Sequence, residues 1–259
     1  MFYTLRILPV LALIQLSLLG KSFHIYSPSS KQNTLWIVKA IPKGESLKLE
    51  VAEKVKFGFS GRVITAHPSK PLLYVTATGG DPGKVPGAVV FLNKDGSYLK
   101  HQNINFNDGA CYLSLDKGNR HILGVSYGNG RLNVYPLDDQ GIPGKAVTTI
   151  DEGKKEAHCV LLPPDGKNVY IPYVKGNLAI LQYAYDGNTG KVTPLKPKEA
   201  KPPLGSGPRH MAYHPTLPMV YFSNEQGIGL SSYRRETNGQ LKVEQDISIL
   251  PPGMSKIGL

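Results

Sequence analysis

A turn followed by a short apolar run recurs four times along the chain: AHPSKPLLYVT (66–76), SLDKGNRHILGV (114–125), LPPDGKNVYIPY (162–173) and YHPTLPMVYFSN (213–224). Aligning the turns superimposes Tyr74, Ile122, Tyr170 and Tyr221, at intervals of 48, 48 and 51 residues. A second apolar run follows each of them: GAVVFL, GRLNVYPL, NLAILQYAY and GIGLSSY. Each second run ends in a turn, at Asp95-Gly96, Asp139-Gln140-Gly141, Asp186-Gly187 and Asn238-Gly239. A more polar strand such as SYLKHQNINF or LKVEQDISIL then closes the unit. Short runs rich in Val, Ile, Leu and Tyr between Gly, Pro and Asp read as strands. No helical periodicity appears outside the N-terminal leader.

A repeat of about 48 residues holding four short strands predicts an all-β chain, a β-propeller of four-stranded blades. One such sheet cannot bury both faces alone, whereas radial stacking covers each blade with its neighbours and leaves only short edges. A β-sandwich explains the strands but not the fixed period. Residues 23–60 read as the later strands of a first blade without its inner strand, so about five blades are present. The last strand either completes the first blade and closes the ring, or leaves an open arc.

Composition adjusts this picture at the N-terminus. Residues 7–19 form an apolar run broken only by Gln15 and Ser17, preceded by Arg6. That length suits the apolar region of a signal peptide and is short for a membrane span. Residues 1–22 are therefore expected to be a signal peptide and residues 23–259 the propeller domain. A hydrophobic first strand is the competing reading. Export to a periplasm or the cell exterior follows if the leader is cleaved, a cytoplasmic location if it is not, with no stable membrane insertion of the mature chain.

The 259 residues carry a formal net charge of +11 with no run of five basic residues. So diffuse a charge argues against nucleic acid and favours attraction of small anions. Cys111 and Cys159 are too few for a disulfide scaffold, and no His, Cys or Asp set has metal-ligand spacing. Neither a metal nor a cofactor is expected. YGNGR (127–131) is read as a turn between strands rather than a phosphate loop, because no helix follows it.

Repeat geometry also selects candidate site residues. Arg62, Ala110, His158 and Arg209 lie at equivalent positions, each 12 residues before its Tyr74-type anchor, on the innermost strands. Arg62, His158 and Arg209 should therefore face one central channel, with Glu225 beside Arg209 at the end of the adjacent strand. Arg209 and Arg62 suit a substrate carboxylate or phosphate. His158 titrates near neutrality and suits general acid–base work, with Glu225 sharing the proton or holding Arg209. Structural alternatives stand beside these roles: a buried His158 bonded to backbone, and an Arg209–Glu225 ion pair between strands. Strand alternation sends His210 to the opposite face, between blades. His67 and His214 read as surface turn residues, Tyr74, Tyr170 and Tyr221 as core anchors, and the two cysteines as buried free thiols.

The stretches ACYLSLDKGNRHILGVSYGNGRLNVYPLDDQG, EAHCVLLPPDGKNVYIPYVKGNLAILQYAYDGNTG and GSGPRHMAYHPTLPMVYFSNEQ resemble successive blades of the seven-bladed lactonase family. That family includes propeller-type 6-phosphogluconolactonases and fungal carboxy-cis,cis-muconate cyclases. The resemblance runs over residues 24–250 and implies seven blades where about five are present. It implies hydrolysis of a small anionic sugar lactone, and His158, Arg209 and Glu225 match one by one the His, Arg and Glu site proposed in the muconate-cyclising relatives. The alternatives are a muconate-type cycloisomerase and a non-catalytic propeller that binds a ligand or protein, as a truncated and inactive product. The chain departs from relatives in KKEA before His158, and at Thr78, where some carry Glu.

Overall fold

The computed structural model describes residues 21–77 and 79–254. Nearly all of the expected leader (1–22), and Thr78, lie outside the described residues. The described residues hold eighteen strands and no helix, arranged as five antiparallel sheets. The first sheet is β1 (Phe23–Ser29), β2 (Thr34–Lys43) and β3 (Ser46–Lys56). The second is β4 (Val63–Ala66), β5 (Leu72–Thr76), β6 (Val85–Leu92) and β7 (Tyr98–Phe106). The third is β8 (Tyr112–Leu115), β9 (His121–Val125), β10 (Leu132–Pro136) and β11 (Thr148–Ile150). The fourth is β12 (Asn168–Tyr173), β13 (Ala179–Asp186) and β14 (Lys191–Ala200). The fifth is β15 (Pro208–Tyr213), β16 (Met219–Asn224), β17 (Gly229–Arg235) and β18 (Leu241–Ser248).

These sheets are propeller blades in the expected order. The fourth has an irregular inner segment in place of a continuous strand. Only isolated bridges, Ala157 with Tyr173 and Leu161 with Tyr170, attach it to β12. Among the described residues the first blade has no inner strand: β1 pairs with β2 alone. The last described strand, β18, pairs with β17 in its own blade and does not complete the first one.

Alternation along each strand divides the core between two neighbours. On β12, Val169, Ile171 and Tyr173 join Val125, Val134 and Tyr183 in the cluster between the third and fourth blades. Tyr170, pointing the other way, joins Phe222 and Tyr233 in the cluster between the fourth and fifth. Leu35 and Ile37 of the first blade share a cluster with Tyr74 and Val89 of the second.

A hydrogen bond repeats at these junctions. The Tyr hydroxyl on a blade's second strand donates to the carbonyl of a glycine in the last turn of the next blade. Tyr26 reaches Gly96 (2.6 Å), Tyr74 reaches Gly141 (2.9 Å) and Tyr170 reaches Gly239 (2.6 Å). Tyr26 lies 48 residues before Tyr74 and so extends the period into the first blade. Gly141 adopts a positive φ of 84°, and a Cβ there would press into Leu72 and the Tyr74 hydroxyl, so glycine is required on both counts. Ile122 has no hydroxyl. The third blade is tied to the fourth instead by Tyr185, which donates to Asp116 (3.1 Å), itself bonded to His121 Nδ1 (3.0 Å).

Two expectations need correction. Tyr221 is 37% exposed rather than a core anchor, because no described blade covers the outer face of the fifth. His67 is 6% exposed rather than a surface residue. Its turn role holds: His67 Nδ1 accepts from the amides of Ser69 and Lys70, as His214 Nδ1 does from those of Thr216 and Leu217. Cys111 and Cys159 are both free, the first partly exposed and the second buried.

Removing a buried hydroxyl orphans its acceptor at a cost of about 1–2 kcal/mol. Tyr74→Phe is therefore expected to lower unfolding stability by about that amount, and Tyr221→Phe by less than about 0.5 kcal/mol. Urea denaturation of the two variants measures the contrast, and equal losses would contradict the junction role of Tyr74.

Candidate active site

The fifth blade sets the site through an irregularity in its inner strand. The pairing of β15 with β16 slips between Pro208 and His210, so Arg209 is the extra residue of a bulge. Glu225 directly follows β16, and its amide donates to the Gly207 carbonyl (2.8 Å). Arg209 and Glu225 meet as a result, with Nε 2.7 Å from Oε2. Arg209 Nε makes no hydrogen bond, so the contact is an ion pair without hydrogen-bond geometry. The two side chains are 42% and 35% exposed, a setting in which a pair adds about 0–1 kcal/mol of stability. The pair matters for where it holds the guanidinium more than for stability.

The bulge also displaces the alternation that sent His210 between blades. Its ring lies edge-on against His158, with centroids 4.8 Å apart, and Arg209 Nη1 lies 3.2 Å from His210 Nε2. Arginine only donates, so His210 Nε2 accepts and His210 is neutral, with its proton on Nδ1. Burial, then the Arg209 charge, lowers the His210 pKa, while Glu225 opposes them.

His158 sits on the irregular inner segment of the fourth blade, its amide donating to the Pro172 carbonyl (3.0 Å). The Tyr127 ring stands perpendicular to its imidazole at 5.8 Å. Burial lowers the His158 pKa most, followed by the Arg209 charge and then by the repulsion that a protonated His210 would exert; its own backbone and Glu225 act in the opposite sense. His158 Nδ1 is buried without a hydrogen-bond partner. An orphaned buried nitrogen on a neutral histidine is unusual enough to mark a reactive site.

The junction of the fourth and fifth blades thus brings together His158, Arg209 and Glu225, and adds His210. Arg62 is not part of this cluster: it is exposed at the start of the second blade, its amide bonded to Thr76 O (3.0 Å). Its side chain makes no hydrogen bond or salt bridge to the other three. Cys111 approaches the cluster from behind, its Sγ 3.1 Å from the Ala157 carbonyl. Burial pushes the Cys111 thiol up to about 12 and Cys159 to about 11, so neither is a nucleophile at neutral pH. Among the described residues, no three His, Cys, Asp or Glu side chains converge as metal ligands.

Three further residues border the cluster: Tyr127, Lys175 and Gln226. They occupy equivalent positions in the turns that follow β9, β12 and β16, at intervals of 48 and 51 residues. The same repeat that aligns the tyrosine anchors therefore carried the signal that would have found them.

Stacked antiparallel blades, with a neutral histidine on one inner segment and an arginine–glutamate pair on the adjacent blade, define a β-propeller with a polar site at a blade junction. The family described as Lactonase, 7-bladed beta-propeller, matches residues 27–257, and the chain belongs to that family. The 6-phosphogluconolactonase of Cronobacter sakazakii is 28% identical over 238 residues, covering 91% of this chain and 67% of that protein. The 6-phosphogluconolactonase of Photorhabdus laumondii is 30% identical over 161 residues, covering 61% and 47%. The fold is shared with the periplasmic gluconolactonase of Pseudomonas aeruginosa, at a TM-score of 0.76 and 18% identity, over 91% of this chain and 70% of that one. The chain spans about two thirds of the length of the curated relatives it matches first.

The histidine environment has a pH consequence. His67, His101, His158 and His210 all have pKa values lowered from 6.5, with burial the first cause of each. Below that value the unfolded chain takes up protons that the folded chain refuses, so stability falls as pH drops from 6.5 toward the folded-state values. Urea midpoints at pH 7.5 and pH 5.0 are expected to show this loss, and His158→Gln should reduce it. An unchanged midpoint would show that His158 is not held neutral.

Proposed function

We propose that the protein hydrolyses a small anionic sugar lactone of the 6-phosphogluconolactone type at the junction of its fourth and fifth blades. The observation that carries this reading is the neutral His158 set against the Arg209–Glu225 ion pair, in a chain of the lactonase family. The names of the relatives support the substrate class: 6-phosphogluconolactonase for the curated proteins and gluconolactonase for the structural neighbour.

Lactone hydrolysis needs a water deprotonated, charge on the carbonyl oxygen stabilised, and a proton returned to the leaving ring oxygen. His158 Nδ1 is buried, so Nε2 is the nitrogen that takes the proton of the attacking water. The new C–O bond forms at the carbonyl carbon, the ring C–O bond breaks, and His158 delivers its proton to the departing alkoxide. The product is an open hydroxy acid. His210, with Nε2 turned toward Arg209, presents its Nδ1–H to the carbonyl oxygen. Arg209 binds the anionic group of the substrate, and Glu225 fixes the guanidinium from the other side. A histidine already neutral at pH 7 works as a base without first losing a proton.

The test is steady-state hydrolysis of 6-phosphogluconolactone, corrected for spontaneous opening. His158→Ala is expected to lower kcat by about 10²–10⁴-fold, the range of general-base catalysis, and Arg209→Ala to raise KM at least about tenfold. Circular dichroism should show both variants folded. Wild-type rates from folded variants, or no turnover by the wild type, would overturn the reading. We also read the apolar run at residues 7–19 as an export signal, which places the activity outside the cytoplasm. Mass spectrometry of the mature chain should find its N-terminus near residue 22; retention of residues 1–22 would contradict export.

A further inference from the structure

We infer that Lys175 is the residue that selects a phosphorylated lactone over its unphosphorylated counterpart, acting with Arg209 as a two-cation grip on the phosphate. This rests on the lactonase reading above. The family leaves the choice open, because the curated relatives are named for the phosphorylated lactone and the structural neighbour for a gluconolactone.

Lys175 lies in the turn between β12 and β13, which is held in an unfavourable shape. Both Lys175 and Leu178 adopt left-handed backbone, with φ of 53° and 40°, a region that residues other than glycine rarely enter. Such conformations persist only where the surroundings impose them, and they concentrate at ligand clamps. Here the surroundings are the site itself. The Lys175 amide donates to Gln226 Oε1 (2.9 Å), Gln226 Nε2 donates to Glu225 Oε1 (2.9 Å), and Glu225 Oε2 faces Arg209 Nε at 2.7 Å. On the other side, Asn177 Nδ2 donates to the Lys155 carbonyl (2.7 Å). Gly207 makes the arrangement possible: its φ is 65°, and a Cβ there would overlap the Gln226 side chain.

This relay ties the Lys175 backbone, through Gln226 and Glu225, to Arg209 across two blades. The Lys175 ammonium lies 5.5 Å from the centroid of the Tyr127 ring, and that ring stands edge-on to His158. Cation–π contact draws the exposed amine to the same ring that packs edge-on against the base, and Tyr127 raises the Lys175 pKa, so the amine keeps its charge. Glu225 is occupied by Arg209 and Gln226, and Lys175 forms no salt bridge among the described residues. Its charge is therefore open to a ligand. A phosphate monoester carries close to two negative charges at neutral pH and accepts from several donors at once. An arginine fork together with a lysine point charge matches it, whereas a neutral hydroxymethyl group gains little from the second cation.

The experiment measures kcat/KM for 6-phosphogluconolactone and for glucono-δ-lactone with the wild type, Lys175→Gln and Lys175→Arg. Loss of a charge-assisted contact predicts that Lys175→Gln lowers the ratio of the two about tenfold or more, through KM for the phosphorylated lactone. Lys175→Arg should restore most of it. An unchanged ratio in Lys175→Gln overturns the inference and leaves the lactonase reading standing. Calorimetric binding of 6-phosphogluconate and gluconate to the same three proteins separates the two questions. If the wild type turns over neither lactone but prefers 6-phosphogluconate, and Lys175→Gln loses that preference, the lactonase reading fails and the role of Lys175 stands. Absence of any preference in the wild type overturns the role of Lys175.

Discussion

Every blade of this protein must bury two faces, and only its neighbours can cover them. That constraint sets the sequence period, since each strand alternates between one neighbour and the other. It also explains the repeated tyrosine. A hydroxyl at the end of a large apolar ring fills the space between sheets and still finds a carbonyl, and the next turn supplies one at Gly96, Gly141 and Gly239. Where the residue is Ile122, the junction uses the buried Asp116, His121 and Tyr185 network. Where no described blade follows, Tyr221 stands exposed.

The site uses the same junction at its inner end. Stacking fixes the inner segments of the fourth and fifth blades side by side, so His158 and Arg209 are neighbours in space although 51 residues apart in sequence. Two departures from regularity shape the chemistry. The fourth blade's inner segment is held by isolated bridges, and the inner strand of the fifth contains a bulge at Arg209. Together they place the rings of His158 and His210 edge to face beside an arginine. Two half-buried imidazoles beside one guanidinium have lowered pKa values, which favours the neutral form that a base requires.

Much of this was legible in the sequence, because periodicity reports burial on two faces directly. Tyr74 and Tyr170 were found by spacing, as were the inner-strand positions of His158 and Arg209. Tyr26 escapes the turn alignment because the first blade offers no preceding turn. His210 departs from the face that alternation predicts because simple alternation does not survive a bulge. Tyr221 departs from the core role that its spacing predicts because its burial depends on a neighbouring blade rather than on its own strand. Arg62 shares the repeat position of His158 but lies two blades away, and no repeat alignment shows which blades lie close enough to share a ligand. Tyr127, Lys175 and Gln226 lay on the same period in turns, where residue type carries no burial signal.

The central claim is that a histidine kept neutral by burial and by a neighbouring guanidinium is the base of the reaction. Its most direct test is the pH dependence of kcat/KM for lactone hydrolysis, compared with the His158 titration followed by NMR. The account predicts an acid limb whose apparent pKa lies below 6.5 and coincides with that of His158. A limb at or above 6.5, or one that His158 does not follow, would contradict it.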